Sequence, residues 1–244
     1  MNGLTVIKVG GNALSEADKV VQLIRGMGLQ NLVLVHGGGP QINGLLDRIG
    51  HQCSFKNGLR VTDAVTLDAV KMVLAGQVNT QFVSALRAAG LPAVGISGVD
   101  GGTLTAEVKD GGDLGFVGET PKVDPKLLHT LLQAGFLPVL APLSAGTEGS
   151  ELNVNADTTA AAVAAALGAE RLIFLTDVAG VLDAEGEMLA ELSAEDVGTL
   201  HQTGVISTGM LPKLEAALYA SQAGVPQVEI KGAQQGPGTK VSAY

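Results

Sequence analysis

"NLVLVHGGGPQ", residues 31–41, decides how the rest of the chain is read. Leu32 to Val35 is a short, near-continuous apolar run ending in a glycine turn. That is the pattern of a strand buried on both faces of a parallel sheet. Pro40 then suits the first turn of a helix, and Ile42, Leu45, Leu46 and Ile49 fall on one helical face. Strand, tight turn and helix in that order open a βα unit. Similar apolar runs at Leu4–Val9, Pro92–Ile96, Pro138–Ala141, Arg171–Leu175 and Pro226–Ile230 alternate with helical stretches, including two within Thr66–Ala89 and one over Asp157–Leu167. The expected fold class is α/β, a three-layer αβα sandwich around an open, mainly parallel sheet. "TLTAEVKDGGDLGFVGE", around Asp110-Gly111-Gly112, breaks the pattern and predicts a β-hairpin lid over a ligand site.

Composition narrows the function classes. Of 244 residues, 46% are apolar and 16% charged, which fits a large buried core and not a disordered chain. Thirty-four glycines with 3% aromatics suggest many tight strand-to-helix turns. The net charge of −9 argues against a nucleic-acid partner, which normally meets a basic face. Cys53 is the single cysteine, so neither an internal disulfide nor a cysteine metal site can form. The longest nearly apolar run, Ala160 to Ala169, is too short to span a bilayer, and no basic-then-apolar signal segment opens the chain. A cytoplasmic protein without membrane attachment is expected, one domain over 1–244 with two functional halves, about 1–150 and about 151–244.

Several stretches carry chemistry. The Gly37–Gly39 turn lets backbone N–H groups converge on an anion at a helix start. It is not a dinucleotide fingerprint, and no P-loop occurs. In "TVIKVGGNAL", residues 5–14, Lys8 interrupts an apolar strand just before a glycine pair. A desolvated ammonium is costly, so Lys8 either snorkels from an edge strand or faces an anion. Arg60, in "KNGLRVTD", offers a planar fork for a carboxylate, or is a surface arginine. Asn153, Asn155 and Asp157 alternate before an alanine-rich helix, where one cap would suffice. Lys213 stands in a first helical turn, where the macrodipole disfavours a cation and an anionic neighbour would explain it. "LTDVAGVLDAEG" places another glycine turn after a strand.

The ordered blocks "KVGGNAL", "HGGGPQIN", "NGLRVTD", "LAGQVN", "NVNADTTA", "TDVAGVLD" and "TGMLPK" resemble the amino-acid kinase family over about residues 4–230, and most closely its acetylglutamate kinase branch. The resemblance implies an open, mainly parallel sheet of about eight strands, with ATP and its Mg2+ on the C-terminal half and N-acetyl-L-glutamate on the N-terminal half. It implies Lys8 and Lys213 as phosphoryl-stabilising cations, with Asp157 as the acid that positions them. Substrate would meet Gly38, Gly39, Arg60 and Asn153. ATP would meet Gly10, Gly11, Asp177, Val178, Ala179, Gly180, Val181, Leu182, Val205, Ile206 and Ser207, and no protein side chain is assigned to metal. The acceptor would be a γ-carboxylate with a reference pKa near 4.3, already an oxyanion at neutral pH, so no general base is needed. None of the four histidines is expected to serve as one.

Two departures stand out. The segment from "VEIK" to "GPGTKV" is shorter than usual, which leaves the final strands in doubt. No helix precedes the first strand, so an arginine-insensitive homodimer is expected. One rival is a kinase for aminoadipate or glutamate carried on an acidic protein, although such members carry "HGGSAETN" in the glycine turn and this chain is itself acidic. A non-catalytic ligand-sensing domain on the same fold is another.

Overall fold

A computed structural model describes residues 3–10, 17–28, 31–147, 149–206, 209–233 and 236–243. In chain order the first units are β1 (Thr5–Val9), α1 (Ala17–Gly26), β2 (Leu32–His36) and α2 (Gly39–Arg48). A hairpin follows, β3 (Phe55–Lys56) and β4 (Leu59–Arg60), then α3 (Ala64–Lys71), a π-helical turn (Met72–Val78) and α4 (Asn79–Ala88). Next come β5 (Ala93–Ser97), β6 (Leu104–Ala106), β7 (Lys122–Val123), α5 (Lys126–Gln133), β8 (Leu137–Ala141), β9 (Leu143–Gly146) and β10 (Glu151–Asn153). The remainder is α6 (Ala156–Ala166), β11 (Arg171–Thr176), β12 (Glu191–Leu192), α7 (Ala194–Gln202), α8 (Leu211–Gln222), β13 (Gln227–Gly232) and β14 (Thr239–Val241).

Eight strands form one sheet in the order β12-β14-β13-β11-β1-β2-β8-β5. Every pairing from β13 to β5 is parallel, and the single antiparallel step lies between β13 and β14. The six apolar runs each became a strand of this sheet. The C-terminal segment, left in doubt by its shortness, still adds β14, because Thr239 and Lys240 pair with Ile230 and Glu229.

Alternation along the strands sets the two covering layers. Ile7, Val9, Leu34, Ile173 and Leu175 pack with α1 and α4 residues such as Val20, Ile24, Phe82 and Leu86. Val6, Val33, Val35, Leu172 and Phe174 pack instead with Leu128 of α5, Ala160 and Ala164 of α6, and Leu214 and Ala217 of α8. Lys8 shares the parity of Val6, so its side chain belongs to the α6–α8 side.

The predicted hairpin near Asp110 is less regular than expected. Lys109 N–H donates to Val117 O (2.8 Å) and Glu119 N–H to Glu107 O (2.9 Å), with one antiparallel bridge between Val108 and Gly118. Its turn is a 3-10 coil with positive φ at Asp110, Gly111 and Gly112. The outer arm is instead held by Thr62 and Asn153, through Phe116 N–H to Thr62 O and Asn153 N–H to Phe116 O. The short hairpin is β3–β4, closed by Asn57 and Gly58 at φ 51 and 77. Positive φ at both central residues is the I′ geometry that an Asn-Gly pair favours. Ile49, expected on the apolar face of α2, is 53% exposed because the helix ends at Arg48.

Candidate active site

Lys8 ends in the middle of the sheet, at the carboxyl end of β1, between β11 and β2. Two alanine-rich helices close over it. On α6, Asp157 shares a face with Ala160, Ala161 and Ala164, and on α8 Lys213 shares one with Ala216, Ala217 and Ala220. Methyl side chains let both helices lie close to the sheet and to each other, so their first turns meet above Lys8. Asn155 is the N-cap of α6, accepting from the N–H groups of Asp157 (2.8 Å) and Thr158 (3.1 Å). That leaves the Asp157 carboxylate free of capping duty.

Asp157 Oδ1 lies 3.0 Å from Lys8 Nζ and accepts a hydrogen bond of 2.7 Å from Lys213 Nζ. All three side chains are buried. Burial alone would raise the Asp157 carboxyl; the charges of Lys8 and Lys213 outweigh it and hold the group below the usual carboxylate range. Burial, with the repulsion of Lys8, lowers the Lys213 ammonium to about 8, although Asp157 opposes the shift. The ammonium also lies 5.4 Å above the Phe174 ring, which neighbours Lys8 in the β1–β11 register.

Two cavities flank this triad. One of about 170 Å³ is lined by Gly37, Gly38, Gly39, Arg60, Asn153 and Asn155 among others. All four expected substrate residues, Gly38, Gly39, Arg60 and Asn153, therefore share one cavity. Arg60 is buried, donates from Nη2 to Gly39 O (3.3 Å) and from Nη1 to Cys53 Sγ (2.8 Å), and stacks 4.7 Å from the Phe55 ring. Asn153 Nδ2 donates to Thr62 Oγ1 (3.1 Å), which orients its amide. Gly38 is extended at φ 177; what requires glycine is space, since a Cβ would stand 2.5 Å from Leu74 Cδ2 on the π-helical turn.

His36 fixes the base of the glycine turn. Its Nδ1 pairs with Gly37 O (2.9 Å) and its Nε2 with Asn79 Nδ2 (3.1 Å). Burial lowers the imidazole to about 4, so the ring is neutral at pH 7, with Nδ1–H the donor to Gly37. It is placed to hold the turn and not to shuttle protons. His51, within reach of both Asp63 Oδ2 (3.1 Å) and Thr66 Oγ1 (3.3 Å), sits at the N-cap of α3.

The second cavity, about 300 Å³, opens at the carboxyl ends of β11 and β13 and is lined by Asp177, Val178, Ala179, Lys19, Lys231 and Gly232 among others. Among the described residues of the expected nucleotide segments, Asp177, Val178 and Ala179 line it. Val181 is buried behind, its N–H bonded to Thr239 Oγ1 (2.8 Å), Gly180 packs against Met188, and Leu182 pairs with Met188. Val205 and Ile206 close the end of α7 through Leu200 O, and Ile206 enters the core. Gly10 stands two residues after Lys8, with Leu175 O 3.6 Å from where its Cβ would be. Gly11 and Ser207 lie outside the described residues. Sequence reasoning singled out neither Thr62 nor Lys231. Yet "VEIKG" repeats the signal of "VIKVG", a lysine inside an apolar strand just before glycine.

A sequence profile described as the amino acid kinase family matches residues 3–232. The chain belongs to the amino acid kinase family. An acetylglutamate kinase of Methanopyrus kandleri is 46% identical over 98% of this chain and all of its own length. A Streptococcus mutans crystal structure superposes with a TM-score of 0.91 at 35% identity, each chain covered in full. N-acetylglutamate synthase from Neisseria gonorrhoeae, complexed with coenzyme A and N-acetyl-glutamate, gives a TM-score of 0.84 at 27% identity; the match covers all of this chain and 60% of that one. The mainly parallel eight-stranded sheet is thus the family's sheet, and the chain is a kinase.

Proposed function

We propose that this kinase transfers the γ-phosphoryl group of ATP to the γ-carboxylate of N-acetyl-L-glutamate, giving N-acetylglutamyl 5-phosphate for arginine biosynthesis. One observation carries the reading: two buried ammonium groups converge on one carboxylate oxygen between a Gly/Arg/Asn cavity and a second cavity at the ends of β11 and β13. A carboxylate attacking a phosphate is anion meeting anion, and the barrier is electrostatic. Lys8 and Lys213 supply positive charge where the equatorial oxygens of the migrating group would gather negative charge, and Asp157 keeps both in register. Arg60 faces the α-carboxylate and Asn153 the acetamido group, while the Gly37–Gly39 turn admits the substrate backbone. The carboxylate oxygen forms a bond to phosphorus as the bond to the β–γ bridging oxygen breaks. The electron pair leaves on ADP, and no proton is released from the acceptor.

Magnesium is proposed to arrive on the nucleotide's phosphates, because the Asp157 carboxylate is already engaged by both lysines. It would draw charge from the phosphates it binds. The domain reading extends over the whole chain, with the acyl amino acid on the N-terminal half and the nucleotide on the C-terminal half. Among the described residues no helix is long and apolar enough to cross a membrane, in keeping with the cytoplasmic location proposed here. A homodimer is proposed as well. Val65 and Met72, seven residues apart on one helical run, are exposed apolar side chains that a second copy would cover.

Incubation with ATP, magnesium, N-acetylglutamate and hydroxylamine tests the activity, because an acyl phosphate is trapped as a hydroxamate. Product dependent on free N-acetylglutamate is expected. Hydroxamate formed only with a carrier-bound substrate, or none with either, would reject the assignment.

A further inference from the structure

Six of the buried polar side chains are those of titratable residues. Lys8, Arg60, Asp157 and Lys213 belong to the reaction, and His36 holds the glycine turn. The sixth, Lys231, is 7% exposed and has no part in the chemistry described so far. It is the penultimate residue of β13, two strands from β1, and has the opposite parity to the core residue Ile230, so it turns toward the α1 layer. There it meets Lys19 of α1 in the wall of the 300 Å³ cavity. Lys19 and Lys231 bring two ammonium groups to this wall, with Asp177 lining it and Glu229 beside Lys231.

We propose that Lys231 is a phosphate-binding residue of the nucleotide cavity. The proposal rests on reading that cavity as the nucleotide site. Lys231 Nζ donates to Gly236 O (2.5 Å) and lies 3.6 Å from Glu229 Oε1, which itself accepts from Gly238 N–H (2.6 Å). These contacts tie down the segment that supplies Gly236 and Pro237 to the cavity wall. Among the described residues they use two of the three ammonium donors and leave a third for a ligand oxygen. A buried ammonium rewards an anionic acceptor far more than the neutral ring nitrogens of a base. At a strand spacing near 4.8 Å, β13 lies about 10 Å from β1. A nucleoside triphosphate exceeds that distance, and because Lys231 and Lys8 leave opposite faces of the sheet it would have to pass over the carboxyl ends of the strands to touch both.

Calorimetric titration of adenosine, AMP, ADP and ATP, with magnesium, into the wild type, Lys231→Met and Lys231→Gln tests this. Loss of one charge-assisted contact should weaken ADP and ATP roughly tenfold or more. Adenosine should bind all three proteins alike, and the KM for N-acetylglutamate should not move. Glutamine can still donate to Gly236 O but carries no charge, so it should be as weak as methionine. Equal loss for adenosine and ATP, or full affinity in Lys231→Gln, would show a wall support instead and overturn the proposal. Unchanged ATP affinity in Lys231→Met would do the same. Nucleotide binding needs no acyl substrate, so this result stands apart from whether N-acetylglutamate is phosphorylated.

Discussion

The shared oxygen of Asp157 makes the two lysines a single electrostatic unit. Replacing Lys8 by alanine should lower kcat by roughly 100- to 1,000-fold, the usual cost of one transition-state donor, with little change in either KM. A Lys8→Ala enzyme with full turnover in the hydroxamate assay would remove Lys8 from the mechanism. Arg60→Ala should act on the other quantity. The proposed role sets it against a substrate group that does not react, so KM for N-acetylglutamate should rise roughly ten- to a hundredfold while kcat holds. Lys213 adds a pH signature. With its folded pKa lowered to about 8, it is charged below that value, and kcat/KM should fall as pH rises through about 8. Stability runs the other way. Between about 8 and the ordinary 10.5 the unfolded lysine keeps a proton that the folded one has lost, so its contribution to unfolding free energy increases across that window. A flat kcat/KM profile from pH 7 to 9 would contradict the first statement.

At the scale of elements, the glycine turn depends on the helical run behind it. Asn79 Nδ2 donates to Val139 O (2.9 Å) and pairs with His36, and Asn79 Oδ1 fills the space that a Cβ on Gly95 would need. Asn79→Ala would leave a buried imidazole nitrogen and a strand carbonyl without partners. About 1–3 kcal/mol of destabilisation is expected, read as a lower urea midpoint at constant slope. Six of the eight strands of the main sheet were legible as short apolar runs, whereas β12 and β14, of two and three residues, were not. Lys8 and Lys213 were legible because a cation in an apolar strand or a first helical turn contradicts local physics. What escaped were features set by pairing at a distance. Phe116 and Val117 look like a hairpin arm, yet beyond the bond from Lys109 N–H to Val117 O they pair with Thr62 and Asn153, far away in sequence. The Asn57-Gly58 turn carried a clear hairpin signal, but its strands are two residues each and show no alternation. Gly180 to Leu182 continue a nucleotide-like block, whereas the strand β14 takes their contacts through Thr239.

In the reading proposed here the reaction lies outside the carboxyl ends of parallel strands, with one cavity to either side of β1. A homodimer should elute with the mass of two 24.7 kDa chains under multi-angle light scattering, and a monomer at micromolar concentration would contradict that state. The siting of β1 bears on motion as well. Its five residues are all buried, and neighbouring strands hydrogen-bond to it along both edges. Backbone amides so enclosed exchange with deuterated solvent only when the entire fold opens, whereas surface loops breathe on far cheaper excursions. The amides of Ile7 and Lys8 should therefore be among the last to take up deuterium, with those of the Lys109–Gly112 turn labelled early. If they are, the cation of β1 is anchored to the slowest-opening part of the chain.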